Sequence, residues 1–238
     1  MFHVEHSAEA ALGSEPTAGP DAGLIREVLA EAGIGVSDAD ALRLAAHAGE
    51  MLRWNRSIRL TAITDPVEVA VKHVADSLLL LRFAPFPGDL LDFGSGAGYP
   101  GIPLAVCLPG TRVTLLEATA KKCAFLSRVR SILSLHNVEV RNARLDPKRP
   151  AGPFDGIVTR ATLSPPEAVA LLAPHLAPGG RLLLMTGEGD GRRTGGGARP
   201  AGERDKAAAI LTRREAFLLP RGMGRRLILE YSAAAPDA

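Results

Sequence analysis

The stretch Leu90–Val106, LLDFGSGAGYPGIPLAV, decides the fold of this 238-residue chain. It holds four glycines within eight residues, with an apolar run ending in an acid before them and an apolar helical pattern after them. Glycine has no Cβ, so the backbone can adopt positive φ and a ligand can lie against it. A strand, a glycine-rich turn and a helix in this order are typical of an open α/β sheet, in which ligands bind at the carboxyl ends of the strands. We therefore predict a ligand site at this turn.

The chain beyond Asp89 alternates short apolar runs with helical patterns, which predicts a mostly parallel, seven-stranded sheet covered on both faces. The predicted strands are DLLDF, RVTLLEA, VEVRNA, FDGIVTRA and GRLLLMTG, and the predicted helices are YPGIPLAVCL, AKKCAFLSRVRSILSL and PPEAVALLAPHL. Two closing runs, RREAFLLP and RRLILEYS, predict an antiparallel hairpin. The fold class is α/β and Rossmann-like.

The part of the chain before Asp89 is predicted to be helical. Apolar residues recur at helical spacing over 23–56, and TDPVEVAVKHVADSLLLLRF predicts a third helix with Pro66 in its first turn. The caps predicted for the second and third helices are Ser37 or Asp38 and Thr64 or Asp65. The predicted organisation is a disordered tail (1–21), a helical extension (22–86) and a cofactor-binding domain (87–238) with a flexible Gly/Arg-rich loop (188–206).

Composition excludes several classes of protein. The net charge of +2 combines an acidic tail of −4 with a body of +6, which is compatible with an anionic partner. No apolar run is long enough to span a membrane, and no secretory signal is visible. Cys107 and Cys123 do not suggest a disulfide scaffold, and His3 and His6 lack a third ligand, so no metal site is predicted. We expect a cytoplasmic monomer.

The acids around the glycines favour S-adenosylmethionine (SAM) as the ligand. Asp92, Gly94, Gly96 and Gly98 fit the pattern acid-x-G-x-G-x-G of SAM enzymes, in which the acid orders the loop or reaches the ligand's amino group. A second register, G-x-G-x-x-G, fits the dinucleotide fingerprint and keeps NAD open as an alternative. The further acids lie at later strand ends: Glu117, which can accept both ribose hydroxyls, and Asp146, which can accept the adenine amino group.

Elimination narrows the choice of the atom that is methylated. The Asn/Asp-Pro-Pro-aromatic turn of many amine methyltransferases is absent, since Ser164 and the two prolines after it predict a helix start. Cys107 and Cys123 lie on apolar helices and are interpreted as core residues rather than nucleophiles. A ring nitrogen with a lone pair, such as guanine N7, remains. Arg160 ends the fourth strand and can bind the SAM carboxylate, a phosphate or guanine O6 and N7, or it can form a salt bridge.

Five segments together resemble one family, the bacterial 16S rRNA guanine-N7 methyltransferases, also called glucose-inhibited division protein B. They are RWNRSIRLTAITDP, KHVADSLLL, LDFGSGAGYPGIPLA, VTLLEATAKKCAFLSRV and FDGIVTRA, and the resemblance runs from about residue 24 to residue 187. The resemblance implies a class I SAM-dependent methyltransferase fold with an N-terminal helical extension. It also implies methyl transfer from SAM to N7 of one guanine in 16S rRNA or the small ribosomal subunit.

The resemblance also assigns residues. Gly94 and Tyr99 would line the SAM site, Leu145 and Asp146 would flank the adenine, and Arg160 would line the cleft as the catalytic residue. The positions expected to face the RNA are Asn55, Leu60, Thr61, His73 and Asp76. Without the resemblance, His73 and Asp76 would be interpreted as a pair on a helix surface.

This chain departs from the family pattern at three places. Thr186 stands where the family usually has lysine, Lys72 stands where it has arginine, and the last strand has Arg225-Arg226 where it has Arg-His. The candidates to replace the missing lysine are Arg181, Arg192 and Arg193.

Basic residues are spread over the body, and phosphate contacts from such residues supply much of the affinity for nucleic acid. They lie at Arg53, Arg56 and Arg59, at Lys121 and Lys122, at Arg141, Arg144, Lys148 and Arg149, and within 192–226. Trp54 is spaced with apolar neighbours and is predicted to be a core residue rather than a stacking platform. The alternatives to an rRNA methyltransferase are a SAM enzyme for another RNA base or a small molecule, an NAD-dependent oxidoreductase, and a non-enzymatic RNA-binding factor.

Overall fold

The architecture was obtained as a computed structural model, which describes residues 19–86, 88–146, 151–160, 163–187 and 209–233. The predicted disordered tail and Gly/Arg-rich loop lie outside the described residues, except for the last three residues of the tail. Of these, Pro20 is buried and Asp21 caps the first helix.

Two helices open the described chain, and both begin at a side-chain cap. Helix α1 (Ala22–Glu31) starts where Asp21 Oδ1 accepts from the Leu24 amide at 2.8 Å. Helix α2 (Asp38–Asn55) starts where Ser37 Oγ accepts from the Asp40 amide at 3.1 Å. Such caps satisfy amides that have no partner within the helix.

The predicted third helix is continuous from Pro66 to Phe83 but changes its winding three times, which the sequence pattern did not predict. Asp65 caps it, accepting from the Glu68 amide at 2.9 Å. In order, it comprises α3 (Pro66–Val69), a π-helical turn (Ala70–Ala75), α4 (Asp76–Leu78) and a 3₁₀ turn (Leu79–Phe83). A π turn inserts an extra residue and changes which side chains share a face. Consequently His73 and Asp76 are both buried, and their interpretation as a surface pair is wrong.

The seven-stranded, mostly parallel sheet is confirmed. The strands are β1 (Asp89–Phe93), β2 (Arg112–Glu117), β3 (Val138–Asn142), β4 (Phe154–Arg160), β5 (Leu176–Gly187), β6 (Ala209–Leu218) and β7 (Arg225–Ala233). Their order is β3-β2-β1-β4-β5-β7-β6, with parallel pairing from β3 to β5 and antiparallel pairing of β7 with both neighbours. Strand β5 begins four residues earlier than predicted, because Leu176 already pairs with Phe154. A register shift follows before the next pair, Gly156 with Arg181.

Both faces of the sheet are covered, which explains why its strands are continuous apolar runs rather than alternating ones. Helices α5 (Gly101–Cys107) and α6 (Ala120–Ile132) cover the face to which Leu90 and Leu115 point. Helix α7 (Pro165–Leu172), which begins at the predicted Ser164 cap, covers the face to which Leu91 and Leu116 point.

The helical extension shares its core with the sheet. The side chains of α1, α2 and the Pro66–Phe83 segment join one apolar cluster with residues of β1, β2 and β4. The predicted boundary near residue 86 is therefore a change of architecture within one continuous core. No helix in the described part of the chain is long and apolar enough to cross a membrane.

Parallel pairing brings the carboxyl ends of β1, β2, β4 and β5 to one edge of the sheet, where β7 begins. Phe93, Glu117, Arg160 and Gly187 end their strands at this edge, and Arg226 pairs there with Gly187. Arg181 lies near the opposite end of β5, donating to Phe83 O at 2.9 Å and to Glu230 at 3.1 Å. The suggestion that Arg181 replaces the missing lysine is therefore wrong, and Arg192 and Arg193 lie outside the described residues.

Candidate functional site

The glycine turn after β1 has the left-handed backbone that its sequence predicts. Gly94, Gly96 and Gly98 have φ of +72°, +53° and +84°. The amides of Gly94 and Ser95 both donate to Leu116 O, at 2.9 and 3.1 Å, which fixes the turn against β2. The loop is therefore a rigid element at the carboxyl edge of the sheet.

The glycines of this turn serve different purposes. A Cβ at Gly98 would lie 2.8 Å from Ile102 Cγ1 and 3.0 Å from His47 Nε2, and one at Gly101 would lie 2.5 Å from Asp92 Oδ2. A Cβ at Gly96 would meet nothing nearer than Gly94 O at 3.7 Å. Gly98 and Gly101 are thus required by packing of the protein itself, whereas Gly96 has an open side on which a ligand can lie.

Asp92 stands beneath the turn with one carboxylate oxygen engaged. Its Oδ2 accepts from the Gly101 amide at 3.0 Å. Its Oδ1 is buried and has no hydrogen-bond partner among the residues that the structure describes. Burial raises the pKa of Asp92 from 3.8 to about 7, against the opposing effect of the Gly101 bond. A cationic group of a ligand would stabilise the ionised form of this carboxyl.

Glu117 supports the open side of the loop. Its Oε2 accepts from the Gly96 amide at 3.1 Å and its Oε1 accepts from the Thr119 amide at 2.8 Å. The carboxylate is thus held in a fixed orientation beside the glycine that leaves room for a ligand. Two acids and a glycine loop with an open side therefore lie together at this edge, and their contacts with SAM stay a prediction.

The predicted adenine residues follow β3. Leu145 is half-buried and packs against the core on the α7 side of the sheet, while Asp146 is exposed. The Asp146 charge raises the pKa of His175, although burial lowers that pKa more. Asp146 is thus close enough to His175 to act on its charge, and its contact with adenine stays a prediction.

Tyr99 lies inside an aromatic stack that the sequence did not reveal. Its ring centroid is 4.4 Å from that of His47 and 4.8 Å from that of His73, with interplanar angles of 28° and 17°. Two imidazoles therefore stack on the Tyr99 ring. Burial raises the pKa of the Tyr99 hydroxyl, whose oxygen has no partner within the described ranges.

Both imidazoles of this stack are neutral. Burial lowers the pKa of His47 to about 4 and that of His73 to about 3, the latter helped by the nearby charge of Arg160. His47 Nε2 lies 2.9 Å from Ala97 O, which requires the proton on that nitrogen. The stack therefore adds no positive charge beneath the loop.

Arg160 occupies the centre of the site, at the end of β4. Its Nη1 donates to Lys72 O at 3.1 Å and lies 3.4 Å from Asp76 Oδ2, and its Nη2 lies 3.3 Å from His73 Nδ1. The guanidinium carbon is 5.6 Å from the centre of the Tyr99 ring. The predicted residues Arg160, His73, Asp76 and Tyr99 are thus brought together.

Asn55 organises the loop after α2. Its Oδ1 accepts from the amides of Leu60 and Thr61, at 2.8 and 3.0 Å, and its Nδ2 donates to Thr61 O at 2.9 Å. Thr61 Oγ1 lies 2.9 Å from His73 Nε2, which links this loop to Arg160. Asn55, Leu60 and Thr61 therefore shape the site, while the exposed Arg56 and Arg59 extend from the same loop.

Asp76 and His73 are placed inside the protein rather than on an RNA-facing surface. Asp76 is fully buried and His73 nearly so. Arg226, which sequence reasoning missed, donates to both Asp76 oxygens at 2.6 and 2.7 Å. The one sequence signal was its position in the Arg-Arg pair that departs from the family pattern.

The structure also shows the surroundings of other residues that the sequence analysis singled out. Thr186 Oγ1 reaches Leu227 O at 3.4 Å, beside the strand start that carries Arg226. Cys123 is buried, as predicted, whereas Cys107 and Trp54 are half-buried against the core, with Trp54 packed edge-on against Phe125. The described ranges contain no group of three side chains that could hold a metal ion, and His3 and His6 lie outside them.

The buried histidines and Asp92 make the stability of the fold depend on pH in opposite directions. The depressed pKa values of His47 and His73 stabilise the fold above pH 6.5, and this contribution is lost as pH falls toward 4 and 3. The raised pKa of Asp92 acts oppositely, since its contribution is present below pH 3.8 and is lost as pH rises through 7. The two effects partly cancel between pH 4 and 6.5.

Replacing Asp92 by asparagine removes one of these effects. We expect Asp92→Asn to lose more stability than the unsubstituted protein on acidification from pH 7 to pH 5, by about 1–2 kcal/mol. Urea denaturation at the two pH values measures the difference. Equal losses in both proteins would show that Asp92 has an ordinary pKa in the folded state.

The sequence of this chain matches a family of known proteins. Residues 41–193 match a family described as rRNA small subunit methyltransferase G. A relative named Ribosomal RNA small subunit methyltransferase G from Anaeromyxobacter dehalogenans is 45% identical over 158 residues, which are 65% of this chain and 73% of that protein. A relative of the same name from Pseudomonas aeruginosa is 45% identical over 125 residues, 52% of this chain and 58% of that protein.

A solved structure supports the fold. A SAM-dependent methyltransferase from Aquifex aeolicus superimposes with a TM-score of 0.52 at 17% identity, covering 71% of this chain and 94% of that one. This likeness shows the fold alone. The match to the Pseudomonas relatives spans less than two thirds of their length.

Proposed function

This chain belongs to the family described as rRNA small subunit methyltransferase G, and on that premise we propose that it transfers a methyl group from SAM to N7 of a guanine in 16S rRNA. The observation that carries the proposal is the glycine turn, in which the Glu117 carboxylate lies 3.1 Å from the Gly96 amide beside an open glycine face. Arg160 lies at the end of an adjacent strand, so a cofactor site and a substrate site share one edge of the sheet.

The residues around the turn divide the task of holding SAM, which supplies an activated methyl group on a sulfonium when bound. Glu117 accepts the ribose hydroxyls, and Asp92 places its remaining oxygen under the cationic part of the ligand. Gly94, Gly96 and Gly98 allow close approach to the backbone, and the Tyr99 hydroxyl lines the same side. Leu145 and Asp146 flank the adenine.

Arg160 is proposed to bind the target nucleotide. An arginine that donates to guanine O6 fixes the base while N7 keeps its lone pair. N7 needs no base to remove a proton, and the cluster supplies none, since His73 contacts Thr61 through Nε2 and Arg160 through Nδ1. The reaction is therefore carried by alignment of the nucleophile rather than by proton transfer.

The RNA side of the site is assigned through the loop after α2. Asn55 holds this loop, and His73 and Asp76 act on RNA through Arg160 rather than by direct contact. The exposed Arg56 and Arg59 supply phosphate contacts. We place this activity in the cytoplasm, in a monomeric protein whose helical extension (22–86) forms one wall of the RNA site.

The test is incorporation of tritiated methyl groups from SAM into naked 16S rRNA and into small subunits, both from cells that lack the corresponding methylation. We expect incorporation into at least one of them. A protein that binds S-adenosylhomocysteine but labels neither substrate would act on another molecule. A protein stabilised thermally by NADH and not by S-adenosylhomocysteine would be an oxidoreductase.

A non-enzymatic RNA-binding role is tested separately with Arg160→Ala. If the protein acts only as an assembly factor, this variant restores growth of a deletion strain without methyl incorporation. The proposed enzyme requires both to be lost together.

A further inference from the structure

Two arginines share one buried carboxylate at the carboxyl edge of the sheet. Asp76 is fully buried, and both of its oxygens accept from Arg226, at 2.6 and 2.7 Å. Arg160 approaches the same carboxylate only to 3.4 Å. Bidentate contact of a guanidinium with a carboxylate is the stronger geometry, so Arg226 is the main counter-ion of Asp76.

The nearer contacts of Arg160 are made with neutral groups. Its Nη1 donates to Lys72 O at 3.1 Å, and its Nη2 lies 3.3 Å from His73, whose pKa is lowered to about 3. Neither of these two groups carries a negative charge. These contacts hold the Arg160 guanidinium near the Tyr99 ring, where an anionic or electron-rich group of the substrate can be attracted.

This arrangement depends on Arg226. A fully buried carboxylate without a counter-ion is strongly unfavourable, so loss of Arg226 would leave Arg160 as the nearest cation. Arg160 would then turn from Lys72 O and His73 toward Asp76 to form the bidentate pair itself. Its charge would be neutralised and its position over Tyr99 lost.

We propose that Arg226 is a positioning residue, which neutralises Asp76 and thereby keeps Arg160 in place for the reacting nucleotide. This inference rests on the proposed function for the role of Arg160. The structural part, competition of two arginines for Asp76, stands on the observed distances alone. Arg226 lies 150 residues from Asp76 in the chain, as the second residue of β7.

The experiment compares kcat and KM for methyl transfer in three variants with the unsubstituted protein. Arg226→Gln should lower kcat by about tenfold or more, because a misplaced Arg160 no longer aligns the substrate. Asp76→Asn combined with Arg226→Gln should recover much of that loss, because no buried anion then competes for Arg160. Arg226→Lys keeps the charge but not the bidentate contact. Its kcat should lie between those of Arg226→Gln and the unsubstituted protein.

A matched control is Arg112→Gln, which removes an exposed arginine that pairs with Asp89 at the opposite edge of the sheet and should leave kcat unchanged. Thermal melting separates stability from activity. A merely structural role would make the double variant no faster than Arg226→Gln, and that result would overturn the proposal. A normal kcat in Arg226→Gln would overturn it as well.

Two measurements keep the test decisive where a variant folds poorly or the activity differs from the one proposed. If Arg226→Gln does not fold, Arg226→Lys and the double variant are compared directly, and the proposal requires the double variant to be at least as fast. Labelling of Arg160 by phenylglyoxal, read by mass spectrometry, needs no activity. It should slow in Arg226→Gln and recover in the double variant, and unchanged labelling would contradict the competition even if the proposed function holds.

Discussion

Gly101→Ala is expected to lower the free energy of unfolding by about 3 kcal/mol or more, which is the upper range for overpacking a core. A Cβ at this position would lie 2.3 Å from Leu115 Cδ2, 2.5 Å from Asp92 Oδ2 and 2.9 Å from Asp92 Cβ. Asp92 Cβ is bonded directly to the backbone of β1, so it cannot retreat without moving the strand that carries the glycine turn. Denaturant unfolding measures the loss.

Gly110→Ala is the matched control for this prediction. A Cβ at Gly110 would have nothing within 4 Å, so the added methyl group should change stability little. The free energies of unfolding of Gly101→Ala and Gly110→Ala could instead differ by less than about 1 kcal/mol, as for a surface substitution. That result would contradict close packing of α5 against Asp92.

Glu117→Gln is expected to weaken binding of S-adenosylhomocysteine by roughly ten- to a hundredfold, since hydrogen bonds to a charged group contribute about 1.5–3 kcal/mol. The carboxylate is fixed by the amides of Gly96 and Thr119 and lies beside the open face of Gly96. Glutamine replaces one accepting oxygen by a donor, so it cannot serve two amides and two ribose hydroxyls together. Titration calorimetry measures the affinity.

The control for the cofactor prediction is Glu139→Gln, on the neighbouring strand β3. Glu139 is exposed and pairs with Arg141, away from the glycine turn. Its substitution should leave the affinity unchanged. Equal affinity of Glu117→Gln and Glu139→Gln would remove Glu117 from the cofactor site.

Local patterns predicted the frame of the site. The glycine spacing predicted a left-handed turn after a strand, and Gly94, Gly96 and Gly98 have positive φ. Apolar runs of strand length predicted where the sheet ends, so Glu117 and Arg160 lie at the same edge. Cap residues such as Ser37 and Ser164 were predicted because a side chain must satisfy the first amides of a helix.

Contacts between distant parts of the chain could not be predicted in this way. The stack of His47, Tyr99 and His73 depends on how α2 and the Pro66–Phe83 segment pack over the glycine turn. The π turn that carries His73 changes which side chains share a face, so α-helical spacing did not reveal that His73 and Asp76 are both buried. Arg226 was missed because only the antiparallel pairing of β7 with β5 brings it to this edge.

The central claim concerns the atom that is methylated, and it is tested most directly by mapping the product. Unmethylated 16S rRNA is treated with the protein and SAM, then with borohydride and aniline, which cleave the chain at N7-methylguanine, and the break is located by primer extension. The proposed function predicts one new cleavage, absent with Arg160→Ala. Methyl incorporation without cleavage at any guanine would contradict N7 as the target, and the site around Arg160 would then serve a different nucleophile.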